Sequence, residues 1–169
     1  MKPVAKKATP AALAVLRQAT ALQPARKRIS DGLLPSAAHI KASPDSDHNT
    51  GYGVDLTHDP LHGIDCADIF QRLKSDVRVK YLIFNGKIWS KERAKEGDRK
   101  YTGSNKHPHH IHISINDGFG EDTRPWFPWM KQPTIIGQIK AAVKPLPVKK
   151  VAKPVVDTSK CCVHCSLKK

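Results

Sequence analysis

Six residues near position 110 constrain the fold of this chain more than any other stretch. His110-Ile111-His112-Ile113-Ser114-Ile115 alternates strictly, and a side-chain period of two belongs to a half-buried β-strand. The three isoleucines predict the packed face, and His110, His112 and Ser114 fall on the other. Such a strand needs neighbours. Tyr81-Leu82-Ile83-Phe84 and Lys87-Ile88-Trp89-Ser90 flank Asn85-Gly86, the strongest short-range hairpin signal a sequence carries. A further brief strand is expected over Gly53 to Leu56.

Helices are expected on either side of these strands. Thr9-Pro10 reads as an N-cap followed by proline at the first helical position. Leu13, Val15, Leu16 and Leu22 then give a short amphipathic helix that stops before Pro24. Asp65 caps a second helix, in which Cys66, Ile69, Phe70 and Leu73 recur at the helical period, ending at Asp76 or Val77. Residues 30–64 and the polar stretch from Lys91 to Asn105 read as turn and loop. Trp126, Phe127 and Trp129, broken by prolines, are expected to close over the body. A last short helix is expected over residues 134–143, and from Lys144 onward Pro, Val and Lys alternate as in an extended linker. The fold class is α+β: a small antiparallel sheet with flanking helices and a disordered basic C-terminal tail. The expected division is a basic extension over 1–8, one domain over 9–130 and the tail over 131–169.

Charge is distributed unevenly over the 169 residues. The formal charge of +14 comes from 29 basic and 15 acidic residues. Residues 1–41 hold eight Lys or Arg against Asp31 alone, residues 131–169 hold nine Lys against Asp157 alone, and the middle is nearly neutral. Basic ends of this kind seek polyanions, whether nucleic acid, anionic lipid or the acidic polymers of a bacterial wall. The longest apolar run, Ala11 to Leu16, is far short of the roughly 20 residues that span a bilayer, so no membrane insertion is expected. It is also too short for a secretory signal core. Of four cysteines, Cys66 lies alone in the body while Cys161, Cys162 and Cys165 crowd the terminus beside His164. One core thiol and one tail cluster cannot staple a domain. The cluster reads as an exposed, oxidisable tail, with metal capture or lipidation as lesser options.

The histidines carry the chemistry. Nine are present, and His107, His109, His110 and His112 fall within six residues. Two imidazoles at i and i+2 on one strand face can approach a common point, and titratable rings are seldom concentrated for packing alone. His39, His58, His62 and His164 read as structural or incidental. Upstream, Ser46-Asp47-His48-Asn49-Thr50-Gly51-Tyr52-Gly53-Val54-Asp55 places His48 and Asp55 seven apart, with glycines between them that let the backbone bend sharply. One carboxylate and two imidazoles suit Zn²⁺ with a fourth position left for water.

Ser-x-His-x-x-Gly-x-(Gly/Ala)-x-Asp at 46–55, followed by His-x-His at 110–112, resembles the hedgehog and D-alanyl-D-alanine peptidase superfamily of zinc enzymes, which includes many phage endolysins and cell-wall peptidases. The likeness covers roughly residues 30–116, with Tyr101-Thr102-Gly103-Ser104-Asn105 adding to it. It implies that His48, Asp55 and His112 ligate Zn²⁺, and that His110 assists the reacting water or steadies the oxyanion. Several branches carry Glu three residues before the last ligand, where this chain has His109. The murein endopeptidase pattern His-x-x-His-x-His is met by His107, His110 and His112, and it makes His107 a second assisting group. The implied activity is a zinc metallopeptidase acting on peptidoglycan peptide stems. It would work as a monomer of phage or prophage lysis type, held in the host cytoplasm until release to the wall. The rival readings are a basic phage nucleic-acid-binding protein or nuclease, suggested by Asp47-His48-Asn49, and a zinc-binding homologue without catalysis.

Overall fold

The computed structural model describes residues 4–132. The helix expected over 134–143, the basic tail and the Cys161/Cys162/Cys165 cluster with His164 lie outside the described residues. Helix α1 spans Pro10–Leu22, and the Thr9 hydroxyl accepts the Ala12 amide as the cap. Its buried face is made of Ala11, Ala12, Ala14, Val15 and Ala19, whereas Leu13 and Leu16 are only half-buried. Small side chains let this helix lie close on the sheet, which the leucine spacing alone did not foretell. A short helix α2, Ala37–Ala42, and a 3₁₀ turn, Asp47–Thr50, stand in the stretch expected to be loop. Helix α3 spans Cys66–Leu73, capped by Asp65. It ends before the expected Asp76 because Leu73 is the last apolar position that reaches the core.

Five strands follow in sequence: β1 Gly53–Thr57, β2 Val79–Phe84, β3 Lys87–Ser90, β4 Arg99–Lys100 and β5 His110–Ile115. They form one antiparallel sheet in the order β1-β5-β2-β3-β4. Between β2 and β3, Asn85 and Gly86 sit at φ 45° and 74°, the pair of positive values that a tight hairpin turn requires. Strand β4, which lies in the stretch expected to be loop, has two charged residues and no apolar pattern, so only its pairing to β3 reveals it.

The core fills one side of the sheet. Val54, Leu56, Leu82, Ile111, Ile113 and Ile115 are fully buried and meet α1 and α3, together with Ile69, Phe70 and Leu73. Cys66 belongs here: it is buried, its Sγ contacts the Leu56 carbonyl at 3.5 Å, and burial pushes its thiol up to about 12. Trp126 and Phe127 close the core, with the Arg78 guanidinium 3.8 Å from the Trp126 ring centroid. The residues before α1 are tied to the body, since the Ala5 and Thr9 amides donate to the carbonyls of Asn49 and Gly51. Among the described residues no helix is long and apolar enough to cross a membrane.

Candidate metal centre

The open face of the sheet is built by register. Asp55 on β1 stands directly opposite His112 on β5, and Thr57 opposite His110. On the other flank of β5, Ile83 of β2 is opposite His112 and Tyr81 is opposite Ser114. Cross-strand neighbours share a face, so Asp55, His112 and Ile83 form one row, with His110 and Tyr81 in the rows beside it.

His48 reaches this face from outside the sheet. Ser46 caps the 3₁₀ turn Asp47–Thr50, and Gly51 ends it at φ 79°, a left-handed conformation that strains residues with a Cβ. The chain then doubles back so tightly that a Cβ at Gly53 would lie 2.7 Å from the His48 amide nitrogen. Those two glycines bring the His48 ring over the Asp55 carboxylate. Beneath the turn, Asp47 is buried, pairs with Lys80 at 3.0 Å and accepts from the Ser114 hydroxyl. A bulge in β2 between Val79 and Tyr81 lets Lys80 and Tyr81 both hydrogen-bond that carboxylate. The Asn49 amide donates to the Ser43 and Pro44 carbonyls at 2.9 Å. Asp47 and Asn49 therefore hold the turn in place, and His48 alone of the run 47–49 contributes to the cluster.

One carboxylate oxygen is shared. Asp55 Oδ1 lies 3.2 Å from His48 Nε2 and 2.9 Å from His112 Nδ1. The candidate ligand atoms of His48, Asp55 and His112 all lie within 4.8 Å of one another, so this group could hold a metal ion. The hydrogen bonding of His48 fits that use. Its Nδ1 lies 2.8 Å from the Leu33 carbonyl oxygen, which can only accept, so Nδ1 carries the proton. Nε2 then faces a carboxylate oxygen with either a second proton or a bare lone pair, and a cation between the two satisfies both. A carbonyl fixing the far nitrogen is the usual outer support of a ligating histidine. His112 is held differently: its ring stacks on Tyr81 at 5.4 Å between centroids, and its Nε2 is buried without a hydrogen-bond partner.

Electrostatics follow from this crowding. Burial alone would raise Asp55, but the hydrogen bonds and charges of His112 and His48 overcome it and hold the carboxyl far below its usual range. Burial lowers His48, and the Asp55 carboxylate outweighs it to leave a net raised value. His110 is lowered by burial, with the His112 and His48 charges adding to that effect. His107 falls to about 4 through burial and the neighbouring His112 and His110. At neutral pH the cluster thus offers one carboxylate and uncharged flanking imidazoles.

The residues expected to assist stand beside the group. His110 Nε2 is 3.8 Å from Asp55 Oδ2, and the His107 ring is 4.9 Å from His110 and 5.9 Å from His112. His107 sits at φ 54°, held there because its carbonyl and that of Lys106 accept the Asn85 and Gly86 amides of the β2–β3 turn. All these side chains line a cleft of about 630 Å³, together with Tyr81, Ile83, Tyr101, Ser104 and Asn105. His39, read from sequence as incidental, also lines it: its Nε2 is 3.0 Å from Ser46 Oγ and its ring 5.6 Å from His48. His58 and His62 turn elsewhere, His58 to the Cys66 amide and His62 to Asp59. His109, in the position where related branches carry Glu, is exposed. Tyr81 had a legible signal, since it alternates with the core-facing Leu82. Tyr101 was legible only through the likeness carried by residues 101–105, and the Leu33 carbonyl had no signal.

The VldE C-terminal domain family matches residues 5–112, more than half of the chain and a span that includes His48, Asp55 and His112. The chain belongs to that family. No curated protein and no solved structure matches it.

Proposed function

We propose that this member of the VldE C-terminal domain family is a zinc-dependent peptidase that hydrolyses a peptide bond in bacterial peptidoglycan, a lysis-type enzyme of phage or prophage. One observation carries the reading: a single Asp55 oxygen lies against both His48 Nε2 and His112 Nδ1 on the floor of an open cleft. Two imidazoles and a carboxylate form a borderline donor set of the kind catalytic zinc sites use. The likeness of residues 30–116 to wall peptidases supports the substrate class, and the basic ends suit an anionic wall. The nuclease reading loses its motif, because Asp47 and Asn49 are committed to Lys80, Ser114 and backbone carbonyls.

His48, Asp55 and His112 would hold the ion. When bound, Zn²⁺ supplies Lewis acidity and lowers the pKa of water to about 7. The remaining work falls to the chain itself. His110, uncharged at neutral pH and with its Nε2 3.8 Å from Asp55 Oδ2, would take a proton from water or return it to the leaving amine. His107 stands behind His110, where a neutral imidazole can orient the peptide or relay a proton. The Leu33 carbonyl keeps the His48 ring from turning, and Tyr81 does the same for His112.

The experiment is zinc stoichiometry together with hydrolysis of purified cell walls, with and without chelator. One zinc per chain and chelator-sensitive cleavage are expected. His110→Ala should keep its zinc while turnover falls about 10²–10⁴-fold. Bound zinc with intact walls would leave a metal-binding protein and remove the peptidase. Cleavage that persists in chelator would remove the metal from the mechanism.

A further inference from the structure

The row that holds Asp55 and His112 runs across the whole sheet. His112 is opposite Ile83, Ile83 is opposite Ile88, and Ile88 is opposite Arg99. The open face therefore carries the candidate metal group at one end, two isoleucines in the middle and a guanidinium at the far end. Ile83 lines the cleft, and Ile88 is half-buried.

Arg99 differs from the two buried arginines, Arg26 and Arg78, which meet the carboxylates of Asp31 and Asp76. Arg99 is half-buried, yet no carboxylate among the described residues lies within ion-pair distance. Among the described residues its one polar side-chain partner is the Ser90 hydroxyl, to which Nη2 donates at 2.7 Å, and its Nε is enclosed with no partner there. The acid that shares its field, Glu96, is exposed and paired to Arg93 at 2.5 Å. A guanidinium has five donors in a planar fork matched to a carboxylate. Removing it partly from water for a single hydroxyl is unfavourable unless a ligand completes it.

We propose that Arg99 is a specificity-determining residue whose guanidinium receives a carboxylate of an extended peptide lying across the open face of the sheet. The inference rests on the peptidase reading and names the substrate feature that reading lacks. Ser90, where the guanidinium sits, is on β3, two strands from His112. Ser90 is two residues along β3 from Ile88, in the row of Tyr81 and Ser114. With strands about 4.8 Å apart and a rise of about 3.3 Å per residue, the carboxylate lies roughly 12 Å, or three to four residues, from the bond to be cut. The intervening isoleucines form an apolar floor for the peptide between the two polar ends. A free C-terminus and an acidic side chain offer the same group, so both are probed.

The test is binding of acetyl-tetraalanine with a free carboxylate, acetyl-trialanyl-glutamate amide and acetyl-tetraalanine amide to the full chain in chelator, where no peptide is consumed. At least one acidic peptide should bind about tenfold tighter than the neutral amide and shift the Arg99 Nε–H resonance. Arg99→Gln should abolish that preference. Arg99→Lys, which keeps the charge without the fork, should retain part of it. Unchanged affinity for the neutral amide reports an intact cleft in both variants. Equal affinities for all three peptides, or a preference that survives in both variants, would overturn the assignment. Acid-selective binding alongside uncut walls would keep Arg99 and discard the peptidase. Cut walls without acid selectivity would do the reverse.

Discussion

The two sides of strand β5 are made from alternate residues of one hexapeptide and have opposite physical characters. Ile111, Ile113 and Ile115 are fully buried against helices and aromatic rings. His112 and Ser114 are also buried, while His110 is half-buried at the cleft, and each of the two buried residues meets a carboxylate, Asp55 for one and Asp47 for the other. Burial reaches both faces, and chemistry separates them. On the isoleucine side burial is itself the stabilising event. On the imidazole side it is unfavourable until a partner satisfies each polar atom. On that face His112 Nε2 is still short of a partner, as is Nδ1 of His107 just before the strand, and both lie at the candidate metal centre.

The contrast can be tested on adjacent residues. His112→Ala should lower zinc affinity by roughly 10³-fold, measured by competition with a chelator, while the metal-free melting temperature falls less than at the adjacent isoleucine, since Asp55 keeps His48 as a partner. Its neighbour Ile113→Ala should cost about 3 kcal/mol of folding free energy through the cavity it leaves, read by urea denaturation, with zinc affinity of the folded fraction preserved. If His112→Ala unfolded the chain as readily as Ile113→Ala, the two faces would be one core and the comparison would fail.

Protons sharpen the same distinction with a smaller effect. The Asp55 carboxylate leaves His48 with a raised pKa, against the pull of burial. Below that value the metal-free ring is protonated, and zinc must displace the proton to bind. Zinc affinity should therefore be constant at higher pH and fall about tenfold per unit as pH drops below the raised value. Calorimetry in buffers of different ionisation enthalpy should show proton release on binding in acid and little in base. The smallest effect belongs to the helical side. Asp65→Ala removes the cap of α3 and should cost about 1 kcal/mol, seen as a lower melting temperature with zinc affinity unchanged.

Legibility in the sequence followed the same division. The β5 alternation, the Asn85-Gly86 hairpin, the Thr9-Pro10 start and the Asp65 cap are local signals, and each element stands where they place it. What escaped was fixed by distant contacts. Strand β4 has no strand composition and exists because β3 presents an edge to it. Helix α2 buries no residue fully and so leaves no apolar period to find. In α1 the contact face belongs to alanines because the sheet lies close.

The candidate site divides in the same way. Residue type and spacing within 46–55 and 107–112 singled out His48, Asp55, His110, His112 and His107. Nothing local separated His39 from an incidental histidine or took Asp47 out of the candidate chemistry. Those assignments depend on which side of a turn a ring falls and on a Lys80 that stands 33 positions away.

The sequence alone determined the periodicities, the turns and the donor types, because each is a property of a few consecutive residues and their allowed dihedrals. Only the tertiary structure decided that Asp55 stands opposite His112, that His48 folds down onto the same oxygen, and that a lone guanidinium ends the row. The first depends on strand register between segments 57 residues apart, the second on the close backbone approach at Gly53 and the third on the pairing of β3 with β4, and neither periodicity nor residue type states any of them.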